Sequence, residues 1–270
     1  MTSPSKTPAR LHFIANAPVK GLAVAERRVE NSQACVICVH GALDRGGSFA
    51  RLVRRLETFD AVIYDRRGYQ GSRDLRPADL NVHVDDLSRL IAREAERQPV
   101  ILFGHSFGGL ITFGAALRDS SEVQLVVNFE SPLPWILRRQ SSRPPLSDDA
   151  RHEAERFFRH VVSTKAWDRL SEHQQESRRL DGPALLRDLA TVQLSEAPFD
   201  LEALRVPATY AYGDGVLVDY YRALAVELVK VNPSIETVEI EHANHDAHLK
   251  NADQLALIVR RRWDQVCASV

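Results

Sequence analysis

No apolar run in this chain approaches the roughly 20 residues a helix needs to cross a bilayer. Cysteine is scarce: three among 270 residues, too few for a disulfide framework. A dominant charge sign is also missing. Lys and Arg number 35 against 36 Asp and Glu, a net charge of −1. That balance lacks the basic face of a nucleic-acid binder and the acidic excess of a polyanionic tail. The opening stretch MTSPSKTPAR is polar with two prolines, has no apolar segment of the signal-peptide kind, and reads as a loose tail over 1–10. A soluble cytoplasmic protein is expected, with no nucleic-acid or membrane partner, working as a monomer or homodimer.

Two of the cysteines, Cys35 and Cys38, form C-x-x-C within ACVICVH. Residues three apart on a strand point to opposite faces, so this pair cannot share a metal. No second pair exists, and both read as buried strand residues.

What is present is an ordinary core-forming composition, 44% hydrophobic and 26% charged. Short β-rich runs alternate with helical patterns. Residues 11–15 and 21–29 read as an antiparallel strand pair. Strands are expected at 34–40, 60–65, 100–103, 123–129, 206–212 and 235–240, and helices at 49–57, 81–96, 107–118, 218–231 and 249–265. This alternation predicts an α/β fold: a mainly parallel, eight-stranded sheet with helices on both faces.

The alternation stops between 131 and 200, where the chain turns helical and rich in Arg and Glu. There Ala154, Phe157, Phe158, Val161 and Val162 recur at helical spacing as one apolar face. SSRPPLSDD (141–149) reads as a linker ending in a helix cap. The basic residues between 138 and 180 read as a solvated face. The segment 131–200 is therefore expected to be a helical lid inserted after the sixth strand, with 11–130 and 201–270 as the core.

In such sheets ligands bind where strand ends meet helix N-termini. GHSFGG (104–109) stands at such a corner, as a G-x-S-x-G between strand and helix. The turn strains the serine backbone and lifts the Ser106 hydroxyl above the sheet, beside the free N–H groups of the following helix. In VHGALDRGG (39–47), Ala42 follows His40-Gly41 at a strand end. Its N–H, with that of Phe107, would make a two-donor oxyanion hole. EHANHDAHL (241–249) puts three histidines after the last strand. A serine nucleophile needs a base, and His245, in mid-loop, is the best placed. His242 and His248 read as loop supports. Asp246 is the only carboxylate between the outer two histidines, and no cysteine lies near, so a metal site within the loop is set aside.

VHG (39–41), YDRRGYQGS (64–72), GHSFGG (104–109) and HANHDAH (242–248), in this order, resemble the α/β-hydrolase fold superfamily. The similarity is to its lid-bearing esterase and epoxide-hydrolase-like group and covers about 10–265. It implies Ser106 as nucleophile, His245 as base, Ala42 and Phe107 as oxyanion donors, and no metal or organic cofactor. A serine at 106 speaks against epoxide hydrolases and haloalkane dehalogenases, which use Asp there. Asp65, Arg66 and Gly68 are expected to brace the loop beside the elbow.

The acid departs from the family pattern. The loop after the seventh strand reads YGDGVLVDY (212–220), and Val216 stands where Gly-x-x-Asp would put the carboxylate. Asp214 is one candidate and Asp219 a weaker one. Glu130, in NFESP after the sixth strand, is placed ahead of Asp214. Trp135 and Trp167 could line a substrate pocket or pack the lid onto the sheet. The expected activity is hydrolysis of a small-molecule, ester-like substrate. The alternatives are carbon–carbon, amide or lactone hydrolysis, cofactor-free perhydrolysis, or a hydrolase fold kept as a ligand receptor.

Overall fold

The computed structural model describes residues 10–139 and 146–269. Nearly all of the expected N-terminal tail, and residues 141–145 of the expected linker, lie outside the described residues.

β1 (His12–Phe13) and β2 (Val24–Arg27) open the chain as an antiparallel pair. β3 (Cys35–Val39), α1 (Ala50–Arg55) and β4 (Asp60–Tyr64) follow, then α2 (Leu80–Ala95), β5 (Val100–His105), α3 (Phe107–Arg118) and β6 (Val123–Phe129). Next come α4 (Ala150–Phe157), a π-helical turn (Phe158–Ser163), α5 (Thr164–Asp168), α6 (Glu172–Arg179) and α7 (Gly182–Thr191). The strand–helix alternation resumes with β7 (Ala208–Gly213), α8 (Val218–Val231) and β8 (Ile235–Ile240). It ends in α9 (Ala247–Lys250) and α10 (Ala252–Ala268).

The eight strands form one sheet in the order β1-β2-β4-β3-β5-β6-β7-β8. From β4 to β8 every neighbour is parallel, while β2 pairs antiparallel with both β1 and β4. A parallel strand covered on both faces must be apolar throughout, and β3, β4 and β5 are buried at every residue. Alternate residues of β3 feed opposite layers. Cys35, Ile37 and Val39 pack with residues of α2, α3 and α8, whereas Val36 and Cys38 pack with residues of α1 and α10. The C-x-x-C pair is thus split between two cores, as its spacing requires.

The helices between β6 and β7 hold a smaller core of their own. Ala154, Phe157, Phe158, Trp167, Leu185 and Leu189 cluster there with Leu43 from the loop after β3. Val161 and Val162 do not continue this face; they are 37% and 56% exposed. The π-helical turn starting at Phe158 widens the repeat, so the 3.6-residue spacing fails beyond it. The expected cap is present: Asp149 accepts from the Arg151 and His152 N–H groups. Gly182 is required where α7 crosses α4, since a Cβ there would meet the Ala150 carbonyl.

These helices are fastened to the sheet by charge. Arg66, fully buried after β4, makes a two-pronged pair with Asp188 of α7 at 2.6 and 3.1 Å. The Tyr69 hydroxyl donates to the same carboxylate at 2.6 Å. Asp181 takes Arg73 at 2.6 Å, Arg45 at 3.3 Å and the Gln70 N–H at 3.1 Å. Arg178 donates to the Leu43 carbonyl at 2.6 Å. The expectation of a solvated basic face holds in part: Arg151, Lys165 and Arg169 are exposed, and Arg151 pairs with Glu176 at the surface, whereas Arg178 is tied to the loop after β3 and Arg179 and Arg159 share Glu155.

Candidate active site

Ser106 stands alone between β5 and α3, with φ 52° and ψ −125°. This is a left-handed conformation a non-glycine residue adopts only when its surroundings impose it. The imposition is visible. The Ser106 N–H donates to the Phe129 carbonyl at 2.9 Å, fixing the corner to the end of β6. A Cβ on Gly104 would meet Asn128, on Gly108 the Val39 carbonyl, and on Gly109 the Ser131 side chain. Gly41 lies against the serine itself; a Cβ there would come within 2.9 Å of the Ser106 Cβ. Small residues are required on both sides of the hydroxyl.

Arg66 braces this end, as expected. It donates to the His40 and Gly41 carbonyls at 3.0 Å, and its guanidinium lies 4.9 Å from the centre of the Phe107 ring. His40 accepts the Arg66 N–H at Nε2, 2.9 Å, so its Nδ1–H donates to the Gly41 carbonyl at 2.8 Å. Burial, then the charge of Arg66, pushes the His40 pKa down to about 3. It is a neutral pillar of the loop that carries Ala42. The Ala42 and Phe107 N–H groups have no acceptor among the described residues.

The two candidate acids part company. His245 Nδ1 lies 2.7 Å from Oε2 of Glu130, which is 3% exposed. The other oxygen, Oε1, accepts the Gly213 N–H at 3.0 Å. Both oxygens are therefore held, and the carboxylate can turn neither away from the ring nor toward water. Glu130 reaches this position through a left-handed backbone of its own, φ 48°. Asp214 instead braces the histidine loop from below. Its Oδ1 accepts the Ala243 N–H at 3.2 Å, and the backbone N–H groups of His242 and Ala243 hold its carboxyl below the usual value. Among the described residues it makes no hydrogen bond to His245. Asp219 is an exposed residue of α8 beside Arg222.

His245 is held from two further sides. Its ring lies parallel to Tyr221 at 6.5 Å, and its carbonyl accepts from His105 Nε2 at 2.8 Å. His105 is buried, and that burial, reinforced by His248 and His245 nearby, drives its pKa well below the usual histidine value. This tie between the elbow and the histidine loop is a feature sequence reasoning missed, as are the Arg66–Asp188 pair and the anchoring of Asp181. Only the x of G-x-S-x-G, a histidine, hinted at the first.

Among the described residues neither tryptophan makes a ring contact with His245 or a hydrogen bond to Ser106. Trp167 has no exposed surface and packs on Phe158 inside the inserted helices. Trp135 packs edge-on against Phe199 and lines a groove with Ile136, Leu201 and Lys230.

A sheet of this order, with a strained serine after β5 and a carboxylate–imidazole pair after β6 and β8, defines a hydrolase-type scaffold. The sequence model of the alpha/beta hydrolase family matches residues 36–256, and the chain belongs to that family. Among curated proteins it is 26% identical over 102 residues to the lipase LipV of Mycobacterium tuberculosis, spanning 38% of this chain and 39% of that protein. It is 28% identical over 99 residues to a monoacylglycerol lipase of Mycolicibacterium smegmatis, spanning 34% and 35%. The similarity thus spans under two fifths of either relative.

Solved structures resemble it along almost the whole chain. A lipase-esterase related protein of Clostridium acetobutylicum superposes with a TM-score of 0.64 at 19% identity, covering 89% of this chain and 99% of that one. A thermophilic esterase of Thermogutta terrifontis gives 0.62 at 19% identity, covering 96% and 99%. At these identities the likeness is one of fold. No helix among the described residues is long and apolar enough to cross a membrane.

Proposed function

We propose that the protein is a cytoplasmic serine hydrolase that cleaves a carboxylic ester of a small molecule through Ser106, His245 and Glu130. The observation that carries this reading is the 2.7 Å contact between His245 Nδ1 and a doubly held Glu130, at the same sheet end as the strained Ser106. With Nδ1–H donated to Glu130, Nε2 is left unprotonated and able to act as a base. It takes the Ser106 proton as Oγ attacks the ester carbonyl. The Ala42 and Phe107 N–H groups receive the oxyanion. Collapse expels the alcohol, which takes its proton from His245. Water, deprotonated by the same ring, then cleaves the acyl-serine. Glu130 holds the tautomer and stabilises the imidazolium.

Residues 131–200 are read as the lid over this end, fastened through Asp181 and Asp188. The lipase and esterase names of the relatives support ester cleavage over the other bonds this machinery can break. Product analysis separates ester hydrolysis from carbon–carbon cleavage or perhydrolysis. A triad without its acid would favour the receptor reading, and the Glu130–His245 contact weighs against it.

The test is fluorophosphonate labelling followed by intact mass, for wild type, Ser106→Ala and His245→Ala. One label per wild-type chain and none on either variant is expected, with turnover of short-chain esters following the same order. Folded wild-type protein that takes no label would overturn the proposal.

A further inference from the structure

We propose that Asp44, His105 and His248 form a binding site for one divalent transition-metal ion of the zinc class, beneath the elbow and separate from the reacting groups. Three segments bring the residues together: the loop after β3, the end of β5, and α9 beyond β8. One ligand atom from each, all within 4.8 Å of one another, forms a group able to hold a metal. Asp44 Oδ2 lies 3.3 Å from His248 Nε2 and 3.9 Å from His105 Nδ1. Zinc binds imidazole nitrogen and carboxylate oxygen at about 2.0–2.2 Å, so two such atoms on one ion are at most about 4.2 Å apart and about 3.4 Å apart in a tetrahedron. Both carboxylate-to-imidazole distances satisfy that limit. The third side, between the two imidazoles, is no longer than 4.8 Å, so closing on an ion asks at most about 1.4 Å of side-chain movement to reach the tetrahedral spacing.

The second observation is an unmet demand. His105 Nδ1 and His248 Nδ1 are buried without a hydrogen-bond partner among the described residues, and the two residues are 4% and 3% exposed. Orphaned polar atoms at such burial are rare and call for an explanation. The tautomer of His105 sharpens the point. Its Nε2 faces the His245 carbonyl at 2.8 Å and must carry the hydrogen, so Nδ1 presents a bare lone pair. That lone pair faces a carboxylate oxygen with nothing positive between them. A metal ion removes the conflict, and a ligating histidine that donates its other N–H to a carbonyl is the usual outer-shell arrangement. Ser48 Oγ donates to Asp44 Oδ2 at 2.9 Å and orients the carboxylate in the same manner. Phe49 and Phe129 flank the rings, and Asp44, 20% exposed, is the side from which an ion and its water would enter. Two imidazoles and one carboxylate favour zinc, cobalt or nickel over magnesium or calcium.

The ion would pin the loop of Ala42, the elbow and the histidine loop to one another. The inference concerns binding and does not depend on the hydrolytic reading. To test it, chelator-treated full-length protein in a Cys267→Ser background, which removes the exposed thiol, is titrated with Zn²⁺ by calorimetry and with Co²⁺ by visible absorption. One ion per chain is expected, with a Tm that rises with Zn²⁺ concentration. Asp44→Asn and His248→Gln are each expected to weaken binding by at least about 100-fold, beyond the roughly 10–100-fold that loss of an outer-shell partner costs. Histidine ¹⁵N spectra of the Cys267→Ser protein keep the test valid if a variant fails to fold. Zn²⁺ should shift His105 Nδ1 and His248 Nε2 and leave His242 unmoved. No binding, binding that survives both substitutions, or spectra that stay still on Zn²⁺ addition would overturn the proposal. They would leave a proton shared between His248 and Asp44 in its place.

Discussion

The sheet and the helices inserted between β6 and β7 are held by different physics. The sheet is buried by continuous apolar strands with helices on both faces, and each fully buried Val, Leu or Ile side chain contributes roughly 1.5–3 kcal/mol. The inserted helices have a small core of their own and reach the sheet through Arg66–Asp188, the cluster on Asp181, and Arg178 on the Leu43 carbonyl. Those attachments land on the loops after β3 and β4, which also frame Ser106. One region therefore owes its position to hydrophobic burial, and the other to a few desolvated charges together with the apolar contact of Leu43. Changes at the sheet end should act on chemistry, and changes at the junction should act on how the second region is held.

The sharpest expected effect lies on the sheet side. Glu130→Gln should lower kcat by about 10⁴-fold, the cost of losing the orienting acid in a comparable triad, with Tm little changed. Asp214→Asn should leave kcat within a small factor of wild type. Ester kinetics on the two variants check both, and a reversed order would mean that the histidine takes its orientation from the loop after β7.

Next comes the junction. Asp188→Ala strands a buried Arg66 and removes the acceptor of the Tyr69 hydroxyl, at a cost of about 3–5 kcal/mol in urea unfolding. A near-neutral result would mean that apolar packing alone holds the inserted helices.

His40 links the two regions, because its Nε2 accepts the N–H of Arg66. Its pKa is about 3 folded and about 6.5 unfolded, so the unfolded chain binds more protons between those values. Stability is then full well above pH 6.5 and falls with acidity, by about 1.6 kcal/mol between pH 6.5 and 5. Urea midpoints across that range check the slope, which His40→Gln should flatten.

The smallest effect is expected inside the inserted helices. Arg151→Ala removes an exposed pair with Glu176 and should leave Tm unmoved in a thermal scan, since such pairs contribute little.

Local pattern carried much of the fold. The strands at 123–129 and 235–240 and the helices at 107–118 and 218–231 have the bounds their periodicity predicts. Ser106 was legible because glycines flank it for steric reasons that hold in any chain of this topology. The partner of His245 was not. Glu130 and Asp214 both follow strand ends, both have one oxygen on a backbone N–H, and they differ only in where the second oxygen points. That direction depends on a backbone twist at Glu130 that no propensity encodes. Asp44, Asp181 and Asp188 were equally silent, since their partners lie tens of residues away. The apolar spacing of α4 runs one turn beyond its buried face, because a π-helical turn leaves no mark in the hydrophobic pattern.

The two left-handed residues at the strand ends, Ser106 and Glu130, carry their strain on different terms. Glycine would adopt either backbone without strain. At 130 it would also strip the buried Gly213 N–H of its acceptor and His245 of its partner, so there the twist is offset by the bonds the carboxylate makes. At 106 relief of strain removes only the hydroxyl, so that corner is where stability and function pull in opposite directions.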